Sequence, residues 1–513
     1  MKPTRISISL LAGASAMALL VAMPFAAHAD DYTDLLDILR AKGTISRSDY
    51  NSLMAKHMRG HAHHMGMNEE SEGTPTESAA QQAEEAAARA QAAATLAQQM
   101  DAQTQTMMHD TNMVTADPFT PGKGITMHAG GVTINVSGFI NGYYSFNAPS
   151  SGTPVAGGLS TGGSGFDSSA VRNGLLPAGL ITKLSSTQDG LDIAAVFGVY
   201  PGINNSAVGA LNANNGGEPV ALGTPGIDFR QVYVTVGNAQ MGTVKVGRDI
   251  GLFGADAILN DATLLGVGST GSNANPGNTS LGRIGIGYVY TDWLPQITYT
   301  TPAFGGFTAS AGVFSPLDEF SFSGYSASAT AHRVPMFQGQ LEYKGKIADA
   351  TTHFWADFLV QPQENITGTD IVGTASSVTA VAGDAGASVN IGPLGGVVYY
   401  YRGSGLGSTA LFFDGVAPNG KARDSEGYYV QGSYNITPKT KLVGSYGVSD
   451  LYQAPGEADP LLVRRNESEV GGVYYSLTAW MTLVGEYAHT DSHAHGGDSA
   501  SDSTVSVGTI VMF

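Results

Sequence analysis

The chain has no cysteine in 513 residues, and only 13% of its residues are charged. With no Cys there is neither a disulfide scaffold nor a thiol nucleophile. Soluble domains carry nearer to about 25% charged residues, so an ordinary soluble domain fits poorly. Beyond Ala29 no stretch approaches the roughly 20 apolar residues that a spanning helix needs, which argues against a helical membrane protein. Basic clusters are missing too. With a net charge of −18 and nothing to pair with phosphates, nucleic acid is not expected as a partner. There is no phosphate loop and no His-Glu-x-x-His, so no enzyme, cofactor or resident metal is expected. What the chain does have is 68 Gly and 22 Tyr, with side chains that alternate in character. That combination fits strands that cross a membrane as a closed barrel.

The N-terminus carries Lys2 and Arg5, then an apolar run from Ile6 to about Phe25, then Ala27-His28-Ala29 before Asp30. This charged, apolar, small-residue order reads as a secretory signal over residues 1–29. An uncleaved membrane anchor is the alternative reading of the run. Residues 30–122 read as a periplasmic helical region and linker. Leu35, Leu36, Ile38 and Leu39 form one apolar stripe that Gly43 stops. Ser46 then caps a second short helix, with Asp49 three residues on. Residues 77–108, rich in Ala, Gln and Glu, predict a further helix. It is either a trimeric coiled-coil stalk or a single loosely attached helix. The second is favoured, because Leu96 and Met100 are the only large apolar residues before Met107 and a seam wants them every heptad.

Residues 123–513 alternate. Candidate strands fall at 132–146, 180–186, 193–200, 229–236, 243–247, 296–301, 307–314 and 337–344. They continue at 352–360, 387–391, 396–402, 427–436, 441–448, 470–477, 481–489 and 504–513. The fold class is therefore an all-β membrane protein, an antiparallel transmembrane barrel of about sixteen strands with a short N-terminal α-helical or coiled-coil region. In the last segment Val505, Val507, Thr509, Val511 and Phe513 share one face, and Thr504, Ser506, Gly508, Ile510 and Met512 the other. This segment is expected to close the barrel against residues 132–146. Tyr428, Val430, Leu442, Tyr446, Leu483 and Tyr487 are expected to face lipid, opposite Tyr429, Gln431, Lys441, Ser445, Val484 and Glu486.

Several of these segments resemble Gram-negative general porins. Phe229-Arg-Gln-Val-Tyr-Val-Thr-Val and Met241-Gly-Thr-Val-Lys-Val-Gly-Arg-Asp249 look like the fourth and fifth strands of that family. The stretch from Pro295 to Ala311 is similar to the strand pair after its constriction loop, and Val-Met-Phe513 to its closing strand. The resemblance spans roughly residues 131–513. It implies a sixteen-stranded barrel in the bacterial outer membrane, usually a homotrimer, passing small hydrophilic solutes and ions passively. It also implies that Phe513 is read by the barrel-assembly machinery. The stretch from Leu35 to Tyr50 instead resembles the start of phosphate-selective porins. An anion-selective channel is thus one alternative, although acidic residues outnumber basic ones in the barrel region. A barrel that merely tethers a periplasmic stalk to the outer membrane is another, and it would have a filled lumen.

The family builds its constriction from the third loop, here about residues 249–282. Asp249, Asp256 and Asp261 are the acidic candidates, and Lys183, Arg230, Lys245, Arg248 and Arg283 the basic ones. Opposed charges there would create a transverse field. Arg248 shares a face with Val244 and Val246, which read as lipid-exposed, so it falls past the membrane edge. Net acidity favours cations and neutral solutes. His57, His61, His63 and His64, and His489, His493 and His495, read as solvated linker and loop rather than metal ligands.

Overall fold

The computed structural model describes residues 114–204, 227–371 and 376–513, with scattered helical positions between Arg47 and Met100. The chain divides into two compact units, Met1–Met100 and Asp101–Phe513. In the first unit Arg47, Tyr50, Asn51, Leu53 and Met54 are helical, as are Ala88, Gln91, Ala92 and residues 94–100. Leu96 and Met100, one turn apart, are both exposed. The expected signal segment, the helix from Leu35 to Gly43 and the His57–His64 cluster lie outside the described residues.

The second unit is a β-barrel. Its strands are β1 (Val114–Ala116), β2 (Ile125–Ala129), β3 (Val132–Pro149), β4 (Ser168–Arg172), β5 (Gly179–Gln188), β6 (Leu191–Pro201) and β7 (Ile227–Asn238). Next come β8 (Gly242–Ile250), β9 (Trp293–Thr300), β10 (Phe307–Phe314), β11 (Ser328–Ala331), β12 (Met336–Ile347), β13 (Ala350–Thr367) and β14 (Ser376–Ile391). The last are β15 (Leu394–Ser404), β16 (Asp424–Thr437), β17 (Thr440–Leu451), β18 (Val463–Ser476), β19 (Met481–Ala494) and β20 (Ser499–Met512). Every pairing between them is antiparallel, and the ring closes where β20 meets β3, from Asp502↔Pro149 to Met512↔Phe139. Leaving out the short β1, β2, β4 and β11, sixteen strands make the ring. Each corresponds to one of the sixteen expected segments.

Two-residue turns join strands at one end. Asp189-Gly190 links β5 to β6 with positive φ at both residues (51° and 78°). That is the primed turn whose twist matches paired strands, and Asp-Gly is its preferred sequence. Gly130-Gly131 does the same between β2 and β3. Long connections lie at the opposite end, as in outer-membrane barrels.

Alternation decides what each face meets. On β20, Val505 and Val507 are exposed outward while Thr504 and Ser506 are buried inside. The same holds for Tyr428 and Val430 against Tyr429 on β16, and for Leu483 and Tyr487 against Val484 and Glu486 on β19. Phe513 finishes the seam: its N–H donates to the Gly138 carbonyl and its carbonyl accepts the Gly138 N–H, both at 3.0 Å. Its ring lies so close that a Cβ at Gly138 would come within 2.7 Å of it. Trp480 lies tilted against Phe513 (6.3 Å) and Phe119 against Trp480 (5.0 Å), an aromatic group at the short-turn end.

Candidate functional site: the third loop and the passage beside it

The connection from β8 to β9 folds into the barrel. It opens with a short helix, Ala255–Asn260, then a 3-10 turn, Ala262–Leu265. Gly254 enters the helix with φ 76°, a conformation open to glycine at little cost. The apolar face of this loop, with Phe253, Ala257, Ile258, Ile284 and Tyr288, packs on the inward residues Trp355, Leu359, Tyr399 and Tyr429 of β13, β15 and β16.

Hydrogen bonds fasten the loop along that wall. Gln338 of β12 accepts the N–H groups of Leu252 and Phe253 (2.7 and 3.0 Å), and Asp384 of β14 accepts that of Gly254 (3.0 Å). Tyr429 of β16 donates to the Ala257 carbonyl at 2.9 Å, and Gln431 accepts the Ala262 N–H at 2.7 Å. Tyr474 of β18 donates to the Ala262 carbonyl at 3.0 Å. Glu486 of β19 accepts the N–H groups of Val267 (3.0 Å) and Gly268. Tyr143 of β3 donates to the Leu265 carbonyl at 2.6 Å. Buried Arg172 holds the return by donating to the carbonyls of Ser272 and Thr279. Buried backbone groups need such partners, which explains the polar inward residues of β12–β19.

Among the described residues, two cavities lie on the opposite side of the lumen. At the short-turn end, about 520 Å³ is lined by Thr133, Lys183, Ser185, Asp192 and Thr235. Beside the loop, about 230 Å³ lies between Ile258, Leu259 and Leu264 and the wall residues Phe139, Tyr200, Arg230 and Trp293.

The expected charged residues fall into distinct places. Lys183 is exposed in the lumen, in register with Asn135. Lys245 and Asp249 form an ion pair on β8, and Gln231 donates to Asp249 at 3.0 Å. Gln231 in turn accepts from Tyr200, over whose ring Arg230 lies at 5.5 Å. Lys245, Asp249 and Arg230 are thus brought into one network across β6–β8. Asp256 is buried on the loop helix, accepting from Gln340 (3.0 Å) with His353 at 3.8 Å. Burial raises its carboxyl above the ordinary value, and Glu342 adds to the rise.

Asp261 spends its carboxylate inside the loop, capping the 3-10 turn through the Thr263 N–H and accepting from Tyr288. Arg283 is completely buried behind the loop, donating to the Ser468 carbonyl. Arg248 is exposed on the outer face with Val244 and Val246, its guanidinium on the Trp293 carbonyl. These last three do not border either cavity.

Sequence reasoning missed Tyr200 and Trp293, uncharged residues that line the cavity beside the loop, and the loop anchors Gln338, Tyr474 and Arg172. Glu486 was assigned inward but not as an anchor.

Several other histidines and serines have structural partners. His489 and His493 lie on β19 rather than in the loop that follows, beside Asp491 and Glu467. Among the described residues one three-residue set, Asp256, Glu342 and His353, has ligand atoms within 4.8 Å of one another. Gln340 and Lys344 already pair with its carboxylates. Gly158-Leu159-Ser160-Thr161-Gly162 has the spacing of a nucleophile elbow but none of the strand–turn–helix setting that elbow needs. Ser160 instead donates to Asp502 at 3.0 Å.

A family model described as Gram-negative porin matches residues 86–495. In structure the chain is similar to the outer membrane channel DcaP of Acinetobacter baumannii, with 15% identity and a TM-score of 0.55 over 77% of this chain and 100% of that one. It is also similar to an anion-selective porin from Comamonas acidovorans (15% identity, TM-score 0.48, 74% and 100% covered). OmpF of Salmonella typhi, solved in complex with daunomycin, is a further similar structure (13%, 0.47, 75% and 98%). A comparison with curated proteins gives no match. The inward loop, the closed sixteen-stranded ring and the match over most of its length together show that the chain belongs to the Gram-negative porin family, as an outer-membrane channel for passive diffusion.

Proposed function

We propose that solutes cross on one side of the third loop only, between the loop and the wall made by β5–β9 and the Phe139 end of β3, the Tyr143 part of β3 being tied to the loop. The observation that carries this reading is the fastening of the loop to β12, β14, β16, β18 and β19. A loop held there fills that half of the lumen and leaves the two cavities on the other. Both an inward third loop and space beside it favour a pore over a tether.

The charges bordering the passage largely cancel. Arg230 pairs with Asp228 and Lys245 with Asp249, while exposed Lys183 and Asp192 border the same cavity. Overall acidity alone favours cations, but distant charges are screened within about 8–10 Å at ordinary salt. The channel is therefore weakly selective. The homotrimer and the handling of Phe513 by the assembly machinery belong to the same proposal, supported by the family resemblance and by the Phe513 seam. Reversal potentials in planar bilayers under a KCl gradient test the charge reading. Values near zero are expected; a strongly anion-selective potential would favour the anion-porin alternative.

A further inference from the structure

The cavity beside the third loop differs from an ordinary water-filled constriction. Its walls are Phe139, Tyr200, Tyr290 and Trp293 with Leu175, Ile250, Ile258, Leu259 and Leu264, and among the described residues its only charged lining residue is Arg230. A bulge explains how that arginine comes to face inward. On β7, Gln231 pairs with Gly198 but Asp228 pairs with Tyr200, so two residues of β7 stand where β6 has one. Bulges re-aim side chains in this way. Phe229 stays on the exposed outer side while Arg230 is 5% exposed.

The guanidinium is held but not satisfied. Its Nε donates to Asp228 at 2.8 Å, and its plane lies near the rings of Tyr200 (5.5 Å) and Trp293 (6.0 Å). Its Nη2 is buried with no hydrogen-bond partner among the described residues. A buried N–H without an acceptor is costly, more so when charged. Arginine presents its donors as a planar fork matched to a carboxylate. The cavity beside this fork is lined by apolar and aromatic side chains, with Asp228 bonded to it and Asp292 close enough to feel its charge. At about 230 Å³ it is smaller than the roughly 300–1,000 Å³ of sites for drug-sized ligands.

We propose that this cavity is a binding site for a small carboxylate with an apolar body of about one ring, its carboxylate on Arg230 and its ring against Leu259 and Trp293. The site rests on the passage proposed above and names the solute class that the passage retains. Binding there slows a solute in transit and makes its flux saturable, because conduction depends on entering and leaving a site.

The test uses the full-length protein in planar bilayers, with sodium benzoate against sodium acetate and uncharged benzyl alcohol as probes. Benzoate is expected to reduce KCl current in a saturable way, at least tenfold more potently than either control. Arg230→Gln and Arg230→Lys should both weaken the block about tenfold or more, the lysine because it lacks the planar fork. Asp228→Asn, which frees the guanidinium from its partner, should strengthen the block severalfold. An open channel on which benzoate acts no better than acetate overturns this site and leaves the passage intact. So does a block that Arg230→Lys and Asp228→Asn leave unchanged. A protein that folds but carries no KCl current overturns the passage itself.

Discussion

Glu486 on β19 accepts the backbone N–H of Val267 at 3.0 Å, so one carboxylate ties down the far end of a loop that leaves the wall at β8. The contact is close: a Cβ on neighbouring Gly266 would come within 2.1 Å of the Glu486 Oε2. Tyr474 donates to the same oxygen at 3.3 Å. The carboxylate therefore has donors from two elements, and the loop has no room to shift toward it.

Removing this anchor loosens the loop. Glu486→Ala leaves two buried N–H groups unpaired, at a cost of about 1–3 kcal/mol each. Single-channel records should show larger open-state noise, and thermal unfolding a lower midpoint. Glu486→Gln keeps an acceptor and should behave much nearer to wild type. Gly266→Ala, by crowding the same carboxylate, should resemble Glu486→Ala.

Lys183 is the exposed cation on the passage side. Charges about 4 Å apart in water interact by about 1 kcal/mol, so the charge reversal Lys183→Glu should raise the cation-to-anion permeability ratio. Arg248→Glu, on the outer face, should leave the ratio unchanged. Reversal potentials under a salt gradient give both numbers.

Phe513 closes the seam with two hydrogen bonds to Gly138 and a ring on its Cα. Phe513→Ala should lower the yield of folded barrel, read as the heat-modifiable band on gels. Gly138→Val, whose side chain would meet the Phe513 ring, should do the same while leaving the terminal residue intact. If Gly138→Val assembles normally, the packing at the seam matters less than the identity of the last residue.

The outer loops contain a pH-sensitive contact. Glu319 is buried, its Oε1 accepts the Val416 N–H at 2.8 Å and its Oε2 has no partner. Burial raises its carboxyl well above the ordinary 4.5, with Asp414 adding to the rise. A raised folded value means that the stabilisation is complete below about pH 4.5, the unfolded value, and is lost as pH rises through the folded one. Hydrogen exchange at the Val416 amide, corrected for intrinsic rate, should therefore show protection falling as pH rises. Glu319→Gln should flatten that dependence.

The ring of strands was legible because lipid outside and packed loop or water inside impose a period of two on every strand. Lengths were harder. The strand expected at 387–391 runs from Ser376 to Ile391, because its first half is mostly Ala, Gly, Ser and Thr, and Val378 and Val381 fall on opposite faces, so no bulky alternation marks a face. Residues 490–494, with His493 among them, extend β19 beyond its expected end at 489 for a related reason: polar residues continue a strand once it leaves the lipid. The charged site was legible only in part. Arg248 could be placed on the outer face from the phase of Val244 and Val246. Arg230 has the same phase as exposed Val232 and Val234, and only the bulge turns it inward. Asp261 sits just before Ala-Thr263, the spacing of a turn cap, and its side chain serves that turn. Nothing around Arg283 marks it as buried, since its burial depends on where a long Gly-rich loop returns.

The most direct test of the passage uses the absence of native cysteine, which makes any introduced thiol unique. Leu259 lies on the third loop, 55% exposed, facing the cavity, while Val443 on β17 is buried against Val267 behind the loop. In planar bilayers, a charged thiol-specific reagent should abolish most of the conductance of Leu259→Cys and leave that of Val443→Cys unchanged. Block at Val443→Cys with none at Leu259→Cys would contradict the account, placing the open path on the side where the loop is fastened.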